Sequence, residues 1–267
     1  MLVPQTDPSF RASLLHPIFI LGRAPKAQEV LSEIAWGIIY YTNGAALIIM
    51  PDRIREEGEN QMEVRLQTPF RDSALFDPYK RVAFKVEYVW WRLRGSPRPK
   101  VPHLVKQRTL THFGREHYLQ VLVETGTNLG NMIHVQKDRF REIYSIERDD
   151  YLAARAKRKF ADRPSIHLYH GDSAKVLPTF IDAIHEPCLF WLDAHWGHET
   201  AAIRDELACI YRHPVRDHVL LIDDARWFDG QGDYPTIAEL REQVSREYPK
   251  SVLEVEDDII RIYNPKR

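Results

Sequence analysis

Residues 120–130 read QVLVETGTNLG, and the parsing of this stretch sets the parsing of the rest of the chain. Gln120 to Glu124 is a short apolar run ending in an acid, the form of a buried strand, and two glycines follow before a helical pattern resumes. Gly126 can make the tight turn and let a ligand approach the backbone, while Gly130 lets the following helix pack close. The full three-glycine dinucleotide fingerprint is incomplete, because Asn128 stands at its middle position.

Downstream the alternation repeats. Ile143 to Glu147, Ile166 to His170, Cys188 to Asp193 and His218 to Asp223 are further strand-like runs, and a helical pattern follows each. Ser251 to Glu256 and Ile259 to Tyr263 flank Asp257-Asp258, a spacing too short for a crossover, so this last pair must be antiparallel. The expected fold is α/β: a Rossmann-like, doubly wound, mostly parallel sheet with an antiparallel C-terminal hairpin. It occupies residues 101–267 and is preceded by an N-terminal extension over residues 1–100.

Upstream, Pro4, Pro8, Pro17, Pro25, Pro51 and Pro69 break the chain into short pieces with no catalytic motif. Ile34 to Met50 is uncharged and 17 residues long, the lower limit for a bilayer span. Thr42-Asn43-Gly44 in its middle favours a soluble buried hairpin or helix instead, since Asn-Gly supplies two turn positions that want positive φ. Arg81 to Leu93 fits either an amphipathic helix or a strand, and the three prolines of Gly95 to Pro102 make a stiff linker. Arg92, Arg94, Arg98, Lys100, Lys106 and Arg108 gather there beside Trp90 and Trp91, either as a solvated face beside a core aromatic pair or as a contact for an anionic partner.

Lys and Arg number 37 against 38 Asp and Glu, a formal net charge of -1, so no global field draws nucleic acid and no nucleic-acid partner is expected. The two cysteines, Cys188 and Cys209, form neither a disulfide framework nor a zinc spacing, and the first residues lack a secretory signal, so a cytoplasmic location is expected.

Each strand of the α/β part ends in polar residues, where open sheets bind ligands. Glu147 follows Glu124 at close to the separation of about 20 residues at which an acid reaches both ribose hydroxyls of a nucleoside. Gly171-Asp172-Ser173 ends the third strand, and Asp172 can either receive an adenine amine or cap the helix from Ala174. Three acids at three successive strand ends, with the glycine turn at the first, favour a nucleoside ligand. Asp193, Asp223 and Asp224 end the next two strands, and crowded carboxylates repel unless one is protonated or a cation lies between them. Hard oxygen ligands select Mg²⁺ or a similar ion, although Asp224 also fits a helix cap or a partner of Arg226.

From about Val101 to Tyr263 the sequence resembles the class I S-adenosylmethionine-dependent methyltransferases. VETGTNLG looks like the family's glycine motif, YSIER its ribose-binding acid and HGDS its adenine-side acid. The resemblance implies a cofactor lined by Glu124, Gly126, Thr127, Asn128, Gly130, Glu147, Asp172 and Ser173. VKQRTL, FWLDAH and LIDDAR look like blocks of a bacterial subgroup. The late acids are similar to those of metal-dependent macrolide-sugar O-methyltransferases, which implies a metal on Asp193, Asp223 and Asp224. Those enzymes carry a second Asp two residues beyond the strand-four ligand. Here that position is His195, whose imidazole is suited to taking a hydroxyl proton near neutral pH. The implied reaction is O-methylation of a sugar or small-molecule hydroxyl, with Asp193 and His195 as the catalytic pair. The N-terminal hundred residues then shape the acceptor pocket or a homo-oligomer interface.

Three rivals stand beside this reading. A GDS-type hydrolase is disfavoured because its block belongs at the first strand, an NAD-dependent enzyme by the incomplete glycine fingerprint and the terminal hairpin, and a non-catalytic nucleoside-binding protein by the retained Asp193, His195, Asp223 and Asp224.

Overall fold

Phe19–Leu21 (β1), Ile38–Thr42 (β2) and Ala45–Ile49 (β3) form a three-stranded sheet in the order β1-β3-β2. Thr42 lies opposite Ala45 across the β2–β3 pair, so the apolar stretch with Asn-Gly at its centre is a hairpin, the outcome that the turn chemistry favours. The computed structural model describes residues 76–96, 101–194 and 202–265, with only the backbone of these three strands before them. Among the described residues no helix is long and apolar enough to cross a membrane.

The chain divides into two units, residues 1–92 and 93–267. In the first, the ambiguous Arg81–Leu93 run lies within an 18-residue helix, Phe76–Leu93 (α1). Asp77 in its first turn and Arg92 in its last complement the helix dipole. Helical spacing also sets the Lys80 ammonium 5.7 and 5.6 Å from the ring centroids of Phe76 and Phe84.

The second unit opens with His103–Glu116 (α2), entered through Pro102. It then alternates Val121–Thr125 (β4), Asn131–Gln136 (α3), Glu142–Glu147 (β5), Asp150–Lys159 (α4), Ile166–His170 (β6) and Ser173–Val176 (α5). Cys188–Leu192 (β7), Ile203–Arg212 (α6), Val219–Ile222 (β8), Ile237–Glu247 (α7), Val252–Glu256 (β9) and Ile259–Tyr263 (β10) complete it. The seven strands lie in the order β6-β5-β4-β7-β8-β10-β9. Pairs from β6 to β8 are parallel, and β10 runs antiparallel to both β8 and β9. Strand order reverses between β4 and β7, which creates a switch point at their carboxyl ends.

Period-two alternation divides the core. Leu122, Leu189, Trp191 and Leu221 face Leu110 and Phe113 of α2 and Met132 and Ile133 of α3. Val123, Phe190, Leu192, Leu220 and Ile222 face Leu207 and Ile210 of α6 and Leu240 and Val244 of α7. Burial on both faces is why the central strands read as continuous apolar runs.

At the amino ends of β7 and β8 two buried histidines form a relay. The Cys188 N–H donates to His218 Nδ1 at 3.0 Å, so the His218 proton sits on Nε2 and is donated to His213 Nδ1 at 2.9 Å. His213 Nε2–H in turn donates to the Ile181 carbonyl at 3.0 Å. Burial, and then the neighbouring His213 and Arg216, push His218 down to about 3.

Candidate functional site

The β4–α3 turn is built around one bare backbone position. Gly126 has φ +87°, and a Cβ there would lie 2.4 Å from the carbonyl oxygen of Asp193. Only glycine lets this turn press against the end of β7. Gly130, at φ +67°, faces the Phe160 ring, 2.8 Å from where a Cβ would stand. Asn128 takes a left-handed φ of 48°, so it does the conformational work of the missing middle glycine. Its N–H donates to Glu147 Oε2 at 2.6 Å, and the Asp149 N–H donates to Oε1 at 2.9 Å. Glu147, 9% exposed, is thereby held at the end of β5 with acceptor lone pairs to spare.

Beneath the turn runs a buried polar chain. Thr127 Oγ1 and Ser145 Oγ lie 2.6 Å apart, and the Ser145 hydroxyl donates to Glu124 Oε2 at 2.5 Å. Burial pushes the Glu124 carboxyl up to about 8, against the pull of the Ser145 bond and with help from the charge of Glu147.

At the end of β6, Asp172 accepts the Ala174 N–H at 3.1 Å and so caps α5; the helix-cap reading is present in the structure. Ser173 is buried beside it. Glu206 of α6 was not singled out from the sequence. It is fully buried, neither oxygen makes a hydrogen bond among the described residues, and burial pushes it up to about 7 against the nearby Ser173 and Thr125 hydroxyls. Its signal was legible: Glu206 shares the apolar stripe of Ile203, Leu207 and Ile210.

Oxygens of Asp193, Asp223 and Asp224 all lie within 4.8 Å of one another. The backbone delivers them, with the Asp193 N–H donating to the Thr125 carbonyl and the Asp223 N–H to the Leu192 carbonyl, both at 3.0 Å. Asp224 stands at φ 56°, and its N–H donates to Asp223 Oδ1 at 2.9 Å. The cation between these acids is internal. Lys106 of α2 donates its ammonium to Asp223 Oδ2 and sits 3.9 Å from Asp224 Oδ1. Lys106 therefore leaves the basic surface group in which its position near the linker placed it. Burial would lower its pKa, but Asp223, then Asp193 and Asp224, hold it above the ordinary lysine value. Asp193 stands well above the carboxylate range because of burial and then the charge of Asp223.

Asp224 is also the Arg226 partner foreseen as its alternative, at 2.9 Å. Arg226 is held more closely by Asp258, whose carboxylate also accepts the Arg226 N–H at 2.9 Å. Asp257 and Asp258 have φ of 54° and 57°, the two positive angles of a type I′ turn, and this turn brings Asp258 to the site. The candidate base His195 and its neighbour His198 lie outside the described residues.

No protein-family model matches the chain, and no curated protein matches it. Among solved structures it is similar to the O-methyltransferase TomG from Streptomyces achromogenes, which is involved in tomaymycin synthesis and was solved with SAM. Identity is 16% and the TM-score 0.48, over 67% of this chain and 87% of that one. An O-methyltransferase from Bacillus cereus with bound SAH is 13% identical with a TM-score of 0.45, covering 67% of this chain and 90% of its own. The 23S rRNA methyltransferase ErmE is 20% identical with a TM-score of 0.40, covering 59% and 68%. The fold assignment rests on strand order, the switch point and the antiparallel β9–β10 hairpin. By those features the described residues of the second unit have a Rossmann-like fold with a doubly wound, mostly parallel sheet and an antiparallel C-terminal hairpin.

Proposed function

We propose that this protein is an S-adenosylmethionine-dependent methyltransferase that methylates a hydroxyl group of a sugar or other small molecule. The observation that carries the reading is the contact of Gly126 with the Asp193 carbonyl. It sets the glycine turn directly beside the acid cluster, so a methyl donor held at one would lie next to an acceptor held at the other.

In this reading Glu147, already fixed by two backbone N–H groups, accepts the two ribose hydroxyls. Asp172 uses one oxygen as a cap and offers the other to the adenine amine. Glu124 holds the turn from below through Ser145 and Thr127. The acceptor oxygen attacks the sulfonium methyl carbon, the carbon–sulfur bond breaks and its electron pair stays on sulfur. The hydroxyl proton passes to His195, two residues beyond Asp193 in the sequence. The donor set of Asp193, Asp223 and Asp224 fits a hard divalent ion such as Mg²⁺ in number, charge and spacing once Lys106 withdraws from Asp223. Such an ion, when bound, supplies Lewis acidity toward a hydroxyl.

Calorimetric titration with SAM, SAH and NAD, each with and without Mg²⁺, tests the proposal. SAM and SAH are expected to bind at one site and NAD not at all; NAD binding without SAM or SAH binding would overturn it.

A further inference from the structure

Lys106 approaches the acid cluster from a seated helix. Val105, Leu110 and Phe113 around it on α2 are buried, and the Lys106 side chain is only 19% exposed. The ammonium thus reaches Asp223 from a fixed direction, and the route by which it can leave is rotation of its own side chain.

The oxygens it meets already have partners. Asp223 Oδ2 accepts from Lys106 and Oδ1 from the Asp224 N–H, while Asp224 Oδ1 accepts from Arg226. A divalent ion on Asp223 Oδ2 or Asp224 Oδ1 would share that oxygen with the ammonium or the guanidinium. Arg226 is anchored twice by Asp258, so it stays in place. Lys106 has no such second anchor among the hydrogen bonds at the cluster, its other ion-pair contact being Asp224 Oδ1 at 3.9 Å. Two cations crowded onto the same carboxylate oxygen repel strongly in a site this buried.

We infer that Lys106 is the resident cation of the cluster, and that a divalent ion is held by Asp193, Asp223 and Asp224 only when it displaces this ammonium from Asp223. The inference rests on the acid-cluster part of the proposed function and is independent of the cofactor part. Lys106 then sets the threshold for metal entry, because every ion bound costs the cluster its existing ion pair.

The test uses Mn²⁺ as the probe, followed by electron paramagnetic resonance, on the whole protein and on Lys106→Met, Lys106→Arg and Lys106→Met/Asp223→Asn. Lys106→Met is expected to bind Mn²⁺ at least about tenfold more tightly than the parent, the scale of one charge-assisted hydrogen bond. Lys106→Arg should bind as the parent does, and Asp223→Asn should cancel the gain. A second measurement needs no variant: acylation of Lys106, read by mass spectrometry, should rise several-fold at saturating Mn²⁺. Equal or weaker binding by Lys106→Met, absence of binding by both proteins, or acylation unmoved by Mn²⁺ would overturn the inference. SAH titration of the same samples keeps the two readings apart, since SAH binding with failed competition removes this inference alone. If Lys106→Met loses SAH binding as well, the acylation of the parent protein decides.

Discussion

The two ends of the central sheet treat buried polar groups in opposite ways. At the amino end, Cys188, His218, His213 and Ile181 form a closed relay in which each donor meets one acceptor and both tautomers are determined. At the carboxyl end, acids outnumber their partners. Glu124 is pushed up to about 8 and Glu206 to about 7, while Asp223 and Asp224 share Lys106 and Asp224 also pairs with Arg226. Burial is similar at the two ends, so burial does not separate them. The difference lies in charge: the relay at the amino end is closed and neutral, whereas the carboxyl end crowds acids together around Lys106 and leaves Glu206 without a hydrogen bond among the described residues, an environment suited to a ligand's donors and charges.

The contrast can be broken most severely at Gly126. Gly126→Ala places a methyl group against the Asp193 carbonyl at a φ that alanine resists. It is expected to cost on the order of 3 kcal/mol of stability and to abolish SAH binding, read by denaturant unfolding and calorimetry. Stability and SAH affinity that both match the parent would mean that the turn does not press on β7.

A smaller effect sharpens the contrast through pH, because the two ends bend the stability curve on opposite flanks. His218 has its pKa lowered from 6.5 to about 3, so its contribution is complete above pH 6.5 and is lost as pH falls toward 3. Glu124 is raised from 4.5 to about 8, so its contribution is complete below pH 4.5 and is lost as pH rises toward 8. Neither slope should exceed about 1.4 kcal/mol per pH unit. Glu124→Gln should reduce the alkaline slope, leaving the share of Glu206, which is raised to about 7, and should leave the acid flank as it was; an unchanged alkaline slope in urea titrations would remove Glu124 as a source.

The strands were legible because each apolar run stops at a polar residue, and the structure shifts their ends by a residue at most: Gln120 to Glu124 becomes Val121–Thr125 and His218 to Asp223 becomes Val219–Ile222. The Asn-Gly hairpin was legible for the same local reason. Lys106 was not. Its partner lies 117 residues away, and a lysine beside a proline-rich linker carries no periodic mark of turning inward. Asp258 escaped notice likewise, since the tight turn between the last two strands accounted for it and its partner Arg226 lies 32 residues away. The Arg81–Leu93 run stayed open between helix and strand because its aromatic and β-branched residues suit a strand, while the helix begins earlier, at Phe76. At Asp172 the structure shows the cap, with Oδ1 accepting the Ala174 N–H and Oδ2 3.8 Å from the Lys175 ammonium.

The most direct measurement is the SAH dissociation constant of the parent protein, Glu147→Gln and His218→Ala, determined side by side with their unfolding free energies. Glu147→Gln, which loses one acceptor at the carboxyl end, should weaken SAH binding about tenfold. His218→Ala leaves the Cys188 N–H and His213 Nδ1 unpaired, and should cost about 2–3 kcal/mol of stability while SAH affinity stays within about twofold of the parent. SAH affinity that is indifferent to Glu147, or that falls equally in both variants, would contradict the assignment of the ligand to the carboxyl end of the sheet.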